Sequence, residues 1–143
     1  MWAVTLKRAD NHGAGHLELL SAGLAPDGWF VALLHLTAVA SMDPGDVIAI
    51  DEPENALHPH AIKALLELVR DWSTQQRATI LLATHSPVLI DAFRECPEQL
   101  YVMEPGHAIL PMALSELRER TWLNHFSLGD LYAHDEFGAP HVR

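Results

Sequence analysis

The stretch VIAIDEPENALHP, from Val47 to Pro59, decides how the rest of the sequence is interpreted. Its first four residues are apolar or small and rich in β-branched side chains, which is typical of a short buried strand. Two adjacent acids, a proline and a third acid follow at once. A buried strand that ends in this way is expected to present its carboxylates at a site.

Length and charge limit the possible functions. The 143 residues are 49% hydrophobic, which predicts a single domain spanning 1–143. Nine Lys and Arg against 19 Asp and Glu give a net charge of −10, so nucleic acid would be contacted only indirectly, through another surface. The single cysteine, Cys96, excludes an intramolecular disulfide framework.

Neither a signal peptide nor a membrane span is predicted. The N-terminal residues lack the order of a secretory signal. The most apolar run, Trp29 to Ala40, contains His35 and is shorter than the roughly 20 residues that cross a bilayer. A cytoplasmic protein without membrane contact is the expectation.

Strand and helix patterns alternate along the chain. Residues 1–25 predict a β-hairpin, with strands at Trp2 to Leu6 and His16 to Leu20 around a turn at Asp10 to Gly13. The core, 26–112, and a C-terminal part, 113–143, follow. Four more strands are predicted, at Val47 to Ile50, Thr79 to Ala83, Leu100 to Met103 and Ala108 to Met112. Four helices are predicted: a buried one at Trp29 to Met42, one after Pro59, one that opens at Ser86 and Pro87, and one at Leu114 to Leu123. The helix after Pro59 has one apolar face, formed by Ile62, Leu65, Leu66, Val69 and Trp72. The tail from Ser127 shows little periodicity.

Apolar strands joined by helices of this length predict an α/β fold with a mostly parallel sheet covered by helices on both faces. Ligands of such sheets bind outside the carboxyl ends of the strands. Asp51 and Glu52 end one strand, and His85 follows the next. If the two strands are neighbours, these three side chains converge at one edge.

Two carboxylates and an imidazole suit nucleotide hydrolysis with Mg²⁺. Asp51 could contribute to the shell of a Mg²⁺ ion, which prefers one or two carboxylates together with phosphates. Glu52 could orient or deprotonate an attacking water. His85 could bond a terminal phosphate oxygen.

These residues also carry a family resemblance. AIDEPENALHP resembles the Walker B strand and D-loop of ABC-type ATPases, in the version of the RecF, SMC and OLD-like AAA-family ATPases. ILLATHSPVLIDAF is similar to the switch strand and histidine of the same group, and SLGDLYAHDEFGAP to a closing segment of some members. The resemblance covers most of the chain, from about Leu20.

By this resemblance the chain would be the C-terminal half of a P-loop NTPase domain that uses ATP and Mg²⁺. Asp51 would hold the magnesium shell, Glu52 would be the catalytic base, and His85 would be the switch histidine. Asn55 to His58 would form the D-loop at a dimer interface, so Asn55 and His58 are candidate nucleotide-binding residues. Members of the group act in DNA repair and phage defence.

Two departures from the family pattern affect these expectations. Pro26, Asp27 and Gly28 occupy the signature position, where Pro26 lacks a serine hydroxyl, although Asp27 and Gly28 at a helix N-terminus could still face an anion. The sequence contains no G-x-x-x-x-G-K-[ST] motif. We therefore expect weak ATP binding alone, with the Walker A lobe supplied by a missing segment or a second polypeptide in a homo- or hetero-dimer.

Two other functions remain open. A non-catalytic or regulatory subunit that binds an intact ATPase would explain Pro26 and the missing loop. A metal-dependent hydrolase unrelated to ATP could use Asp51, Glu52 and some of the ten histidines. Taken singly, the acidic stretch could also be a solvated turn and Thr84 to Pro87 an N-capping loop; their joint occurrence at successive strand ends favours a site.

Overall fold

A computed structural model describes residues 3–9, 15–103, 110–123 and 125–138, with side chains described from Gly23 onward. In chain order, the strands and helices are β1 (Ala3–Ala9), β2 (Gly15–Ser21), α1 (Asp27–Ala40), β3 (Val47–Asp51), α2 (Pro59–Gln76), β4 (Thr79–Ala83), α3 (Pro87–Asp91), β5 (Tyr101–Val102), β6 (Met112–Ala113), α4 (Leu114–Leu117), α5 (Arg120–Leu123) and α6 (Leu128–Ala133). Short 3-10 turns lie at Ala22–Leu24 and Pro97–Gln99. Strands and helices alternate through the middle of the chain, as an α/β fold requires.

The first two strands form the predicted hairpin. β1 and β2 pair antiparallel, from Ala3 opposite Ser21 to Ala9 opposite Gly15. Both strands extend further than their apolar patterns indicate. The turn predicted at Asp10 to Gly13 lies outside the described residues.

The central unit is a parallel β3–α2–β4 crossover. Val47 pairs with Thr79 and Asp51 with Ala83, in unbroken register between those ends. α2 starts at Pro59, whose missing N–H costs nothing in the first turn, and ends where Arg77 adopts a left-handed φ of 53°. Its buried stripe consists of Ile62, Leu65, Leu66 and Val69, as its periodicity predicts.

α1 and α2 pack on the same face of the β3–β4 pair. Val39 of α1 and Leu65 and Val69 of α2 form one core cluster, against which Ile50 and Ile80 of the strands pack. The opposite strand face is uncovered within the described chain, where Val47 is 66% and Leu81 56% exposed. Alternation along a strand sends successive side chains to opposite faces, so each strand has one covered and one open side.

The prediction of a mostly parallel sheet covered on both faces is therefore wrong for the described residues. They contain one parallel pair, β3–β4, and two antiparallel pairs, β1–β2 and β5–β6. The predicted helix at Trp29 to Met42 is present as α1, but it is not buried all round. Only Val39 in it is buried, whereas Trp29, Leu33 and Leu34 are 45%, 61% and 67% exposed. Apolar composition shows that a surface needs cover but not whether the same chain provides it.

The C-terminal part differs most from the sequence predictions. The single helix predicted at Leu114 to Leu123 is two short helices, α4 and α5, because Arg118 adopts an extended backbone. The tail contains α6, which Ser127 caps by accepting a hydrogen bond from the Asp130 N–H at 3.1 Å. Strand β5 confirms the prediction at Leu100 to Met103. Of the strand predicted at Ala108 to Met112, residues 108 and 109 lie outside the described residues, and β6 begins at Met112.

α6 and its neighbours build a second core. Its buried members come from α3, β5, α4, α5, α6 and the segment after α6: Ile90, Val102, Leu114, Leu123, Leu128, Leu131 and Phe137. This cluster fixes the C-terminal helices against α3. In the described part of the chain, no helix combines the length and apolarity needed to cross a membrane.

The surroundings of His35 in α1 disfavour the protonated form of its ring. Its ring lines a small apolar cavity with Ile50, Leu65 and Leu82. Nδ1 is buried and has no hydrogen-bond partner among the described residues. Burial lowers the pKa of the His35 imidazole below its ordinary value, because the charged ring would lose hydration.

This burial predicts a stability loss in mild acid. As the pH falls below about 6.5, the unfolded chain binds a proton at His35 that the folded chain resists, so the free energy of unfolding decreases. His35→Leu has no ring to protonate, so its free energy of unfolding should fall less over the same pH range. Urea unfolding at a series of pH values measures this free energy, and His60→Gln, at an exposed position, is the control. Equal pH dependence in wild type and His35→Leu would contradict the prediction.

Candidate active site

The ends of β3 and β4 leave the sheet side by side. Asp51 is in register with Ala83, and the Glu52 N–H donates to the Ala83 carbonyl at 2.8 Å. The residues that follow, Glu52 on one strand and Thr84 and His85 on the other, therefore start from the same edge. The side chains of Asp51, Glu52 and His85 are all exposed there. The structure thus brings these three predicted residues to one edge of the parallel pair.

Glu52 has a constrained conformation. Its φ is +46°, a left-handed value that is uncommon for a residue with a Cβ. The Asn55 N–H closes a turn onto the Glu52 carbonyl at 3.0 Å, and the Asn55 side-chain amide donates to Glu52 Oε2 at 2.7 Å. Strain of this kind costs about 1–3 kcal/mol and is common at functional sites. Asn55 therefore holds the Glu52 carboxylate from within the same turn.

Glu54 joins the two loops at this edge, a connection that sequence reasoning missed. Its Oε1 accepts from Thr84 Oγ1 at 2.6 Å and from the His85 N–H at 3.3 Å. The Thr84 oxygen in turn accepts from the Ser86 N–H at 2.9 Å. Glu54 is the third acid of the DEPE stretch, and its place beside Asp51 and Glu52 is the feature of the sequence that could have indicated this role. Through it, the turn after β3 positions the loop after β4.

His85 makes a contact with a distant part of the chain. Its Nδ1 lies 2.8 Å from the Tyr132 hydroxyl of α6. Nε2 has no hydrogen-bond partner among the described residues. Sequence reasoning did not single out Tyr132, although it lies in the SLGDLYAHDEFGAP tail. Nδ1 of His85 is thus in contact with Tyr132, while Nε2 can bind a ligand.

Asp27 and Gly28 lie at the start of α1, close to the turn that contains Asn55. A Cβ at Gly28 would overlap the Ala56 carbonyl oxygen, so the absence of a side chain allows α1 to approach this turn. Asp27 is exposed in the first helical turn, and Pro26 provides no side-chain cap. The structure therefore brings Gly28, at the start of α1, next to the predicted D-loop.

His58 has a local role in the structure. Its Nδ1 accepts a hydrogen bond from the His60 N–H at 3.2 Å, which caps the start of α2. The capping contact gives His58 a structural function. Nucleotide binding by His58 stays a prediction.

The donor set at this edge suits Mg²⁺ better than zinc. In the ranges that the structure describes, no group of three or more His, Cys, Asp or Glu side chains is arranged to hold a metal. An all-protein zinc site needs three or four such ligands. Mg²⁺ commonly takes one or two carboxylates and completes its shell with water and phosphate, which the exposed Asp51 could satisfy.

The Glu54–Thr84 hydrogen bond predicts that removing the Thr84 hydroxyl lowers the stability of the fold. Thr84→Val keeps the side-chain shape but leaves the Ser86 N–H without its acceptor and Glu54 without its shortest donor. We expect the free energy of unfolding to fall by about 1–3 kcal/mol, measured by urea titration. Thr79→Val, at the exposed first residue of β4, is the control and should change the free energy of unfolding little. Similar losses in both variants would refute this role.

A substitution at Ala56 is expected to stabilise the fold, in contrast to Thr84→Val. Its φ of +61° disfavours a Cβ, so Ala56→Gly should raise the free energy of unfolding, by up to about 1 kcal/mol. The same exchange at exposed Ala64, inside α2, should lower it by about 1 kcal/mol. Thermal or urea unfolding of the pair provides the comparison, and a loss at both positions would contradict the left-handed assignment.

Comparison with known proteins identifies the family. Residues 9–91, more than half of the chain, match the family described as "AAA domain, putative AbiEii toxin, Type IV TA system". This range includes both strand ends, Glu52 and His85, and stops before α6.

The curated relatives are ATP-binding proteins of transporters. The chain is 27% identical over 82 residues to the energy-coupling factor transporter ATP-binding protein EcfA1 of Methanospirillum hungatei, covering 57% of this chain and 28% of that protein. It is 30% identical over 95 residues to EcfA2 of Enterococcus faecalis, covering 66% and 32%. It is 44% identical over 41 residues to the thiamine import ATP-binding protein ThiQ of Photobacterium profundum, covering 29% and 17%.

The chain spans about a third or less of the length of these relatives. The family resemblance is confirmed by the match over residues 9–91. This chain belongs to the AAA-domain family of P-loop, ABC-type ATPases.

Proposed function

We propose that this chain is an ATP-hydrolysing module that requires Mg²⁺ and becomes active when a Walker A lobe and a second ATPase copy complete its site. The observation that carries the proposal is the register of β3 and β4, which starts the loops of Asp51, Glu52 and His85 at one edge. It is supported by membership of an ATPase family and by the relatives' description as ATP-binding proteins.

In the proposed reaction, water attacks the γ-phosphorus of ATP and the bond to the bridging β–γ oxygen breaks. Glu52 orients the water and accepts its proton, which the carboxylate then releases to phosphate or solvent. Asn55 restricts Glu52 to one orientation through the 2.7 Å hydrogen bond, which reduces the entropy lost on reaching the reactive geometry.

His85 and Asp51 would act on the phosphates. Nε2 of His85 would donate a hydrogen bond to a γ-phosphate oxygen. Asp51 would hold Mg²⁺, which supplies positive charge next to the phosphate oxygens when it is bound. Asp27 and Gly28, together with Asn55 and His58, are proposed to face nucleotide across the interface with a second copy.

The need for a further lobe is supported by the uncovered surface. Val47 and Leu81 on the open strand face, and Leu33 and Leu34 on α1, are more than half exposed. Burying such a side chain contributes about 1.5–3 kcal/mol. The 143 residues contain no G-x-x-x-x-G-K-[ST] motif, so we propose that the covering lobe also supplies the phosphate-binding amides and lysine.

Glu52→Gln tests the reaction directly. In a complex of this chain with a P-loop-containing partner, the exchange should lower ATP turnover by about 10²- to 10⁴-fold, because the amide cannot accept the proton of water. Nucleotide binding by the complex should persist. Phosphate release and a nucleotide titration measure the two properties. Glu67→Gln, on the exposed side of α2, is the control and should remain active.

A second function is favoured by one observation at α1. Pro26 is the N-cap of this helix and provides no side-chain hydrogen bond there, where the resemblance leads us to expect a serine. A regulatory subunit that only associates with an intact ATPase would tolerate this. Unchanged turnover in the Glu52→Gln complex would favour that function and contradict hydrolysis at this site.

A further inference from the structure

The contact between His85 and Tyr132 joins the candidate active site to a part of the chain beyond the family match. The match ends at residue 91, whereas Tyr132 lies in α6 (Leu128–Ala133). The Tyr132 hydroxyl oxygen is 2.8 Å from His85 Nδ1, within hydrogen-bond distance. The contact therefore spans 47 residues of sequence.

Tyr132 is held firmly enough to position another side chain. Its ring packs against Phe137, with centroids 5.9 Å apart, and Phe137 is only 2% exposed. On the same helix, Gly129 approaches so closely that a Cβ there would overlap the Pro87 carbonyl oxygen. Pro87 starts α3 two residues after His85, so α6 is docked directly on the loop that carries the histidine.

The direction of this hydrogen bond decides which nitrogen of His85 carries the proton. A neutral imidazole has one N–H, and the nitrogen that accepts a hydrogen bond is the one without it. A phenol hydroxyl is a good donor, and its oxygen is a weak acceptor because a lone pair is delocalised into the ring. Donation from Tyr132 to Nδ1 leaves the proton on Nε2.

We propose that Tyr132 is a positioning residue that keeps His85 in the Nε2–H tautomer, so that the exposed nitrogen is a hydrogen-bond donor towards an anionic oxygen. The role in catalysis rests on the proposed ATPase function, in which that oxygen belongs to the γ-phosphate. In the other tautomer, a lone pair on Nε2 would face the negative oxygen and repel it.

The tautomer can be measured in the chain itself, without nucleotide. Long-range ¹⁵N–¹H correlation spectra of ¹⁵N-histidine-labelled protein, at about pH 8 where imidazoles are neutral, distinguish protonated from unprotonated ring nitrogens. The signals that disappear in His85→Gln assign the residue. We expect the Nε2–H form of His85 to predominate in the wild type.

Tyr132→Phe removes the hydroxyl and keeps the ring that packs on Phe137. It should raise the population of the Nδ1–H form of His85. Tyr101→Phe is the matched control, because Tyr101 is the other tyrosine of the chain and is 64% exposed; it should leave the His85 signals unchanged. An Nδ1–H form in the wild type, or unchanged His85 signals in Tyr132→Phe, would overturn the proposal. If Tyr132→Phe did not fold, this would also overturn the proposal, because the hydroxyl would then be needed for folding of the C-terminal core.

Kinetics of the complex with a P-loop-containing partner separate the two proposals. Tyr132→Phe should lower kcat by about three- to ten-fold, the effect of one neutral hydrogen bond, with KM for Mg-ATP changed less than about two-fold. A rise in KM alone would contradict a positioning role. An inactive wild-type complex would refute the ATPase function and leave the tautomer measurement standing, whereas a failed tautomer measurement would leave the Glu52→Gln result standing.

Discussion

The parallel register of β3 and β4 is the constraint on which the candidate site depends. Asp51 lies opposite Ala83, so the two chains leave the sheet at the same level and in the same direction. A slip of one residue would turn every strand side chain to the other face and separate the loops. Ile50 and Ile80 oppose such a slip, because both must remain against the core formed with α1 and α2. Packing on one side of the strands thus determines which residues lie side by side at their ends.

Two short networks convert this register into a defined site. Asn55 holds the carboxylate of Glu52 inside one turn, and Glu54 connects that turn to Thr84 and the His85 backbone. Both Glu52 and Ala56 adopt left-handed φ values, which cost free energy that the hydrogen bonds and the buried Pro53 offset. The turn therefore holds two residues in conformations that are unfavourable for a residue with a Cβ.

Most of the central unit could be predicted from periodicity. The α2 stripe of Ile62, Leu65, Leu66 and Val69 is visible in the sequence because a helix repeats every 3.6 residues. The C-terminal part could not be predicted in this way. α4, α5 and α6 are four to six residues long, too short to show a period, and they exist because Leu114, Leu123 and Leu128 pack together. Isolated helices of that length are unstable without tertiary contacts.

The amino-acid sequence by itself determined the identity of the strand-end residues, the order of strands and helices around them, and the family that the two motifs indicate. These are properties of local pattern, which neighbouring residues set. Only the tertiary structure decided that Glu54 joins the two loops, that Tyr132 contacts His85 across 47 residues, and that one strand face and much of α1 stay exposed. Each of these depends on how distant segments pack, and a linear pattern does not specify the distance between side chains far apart in the chain.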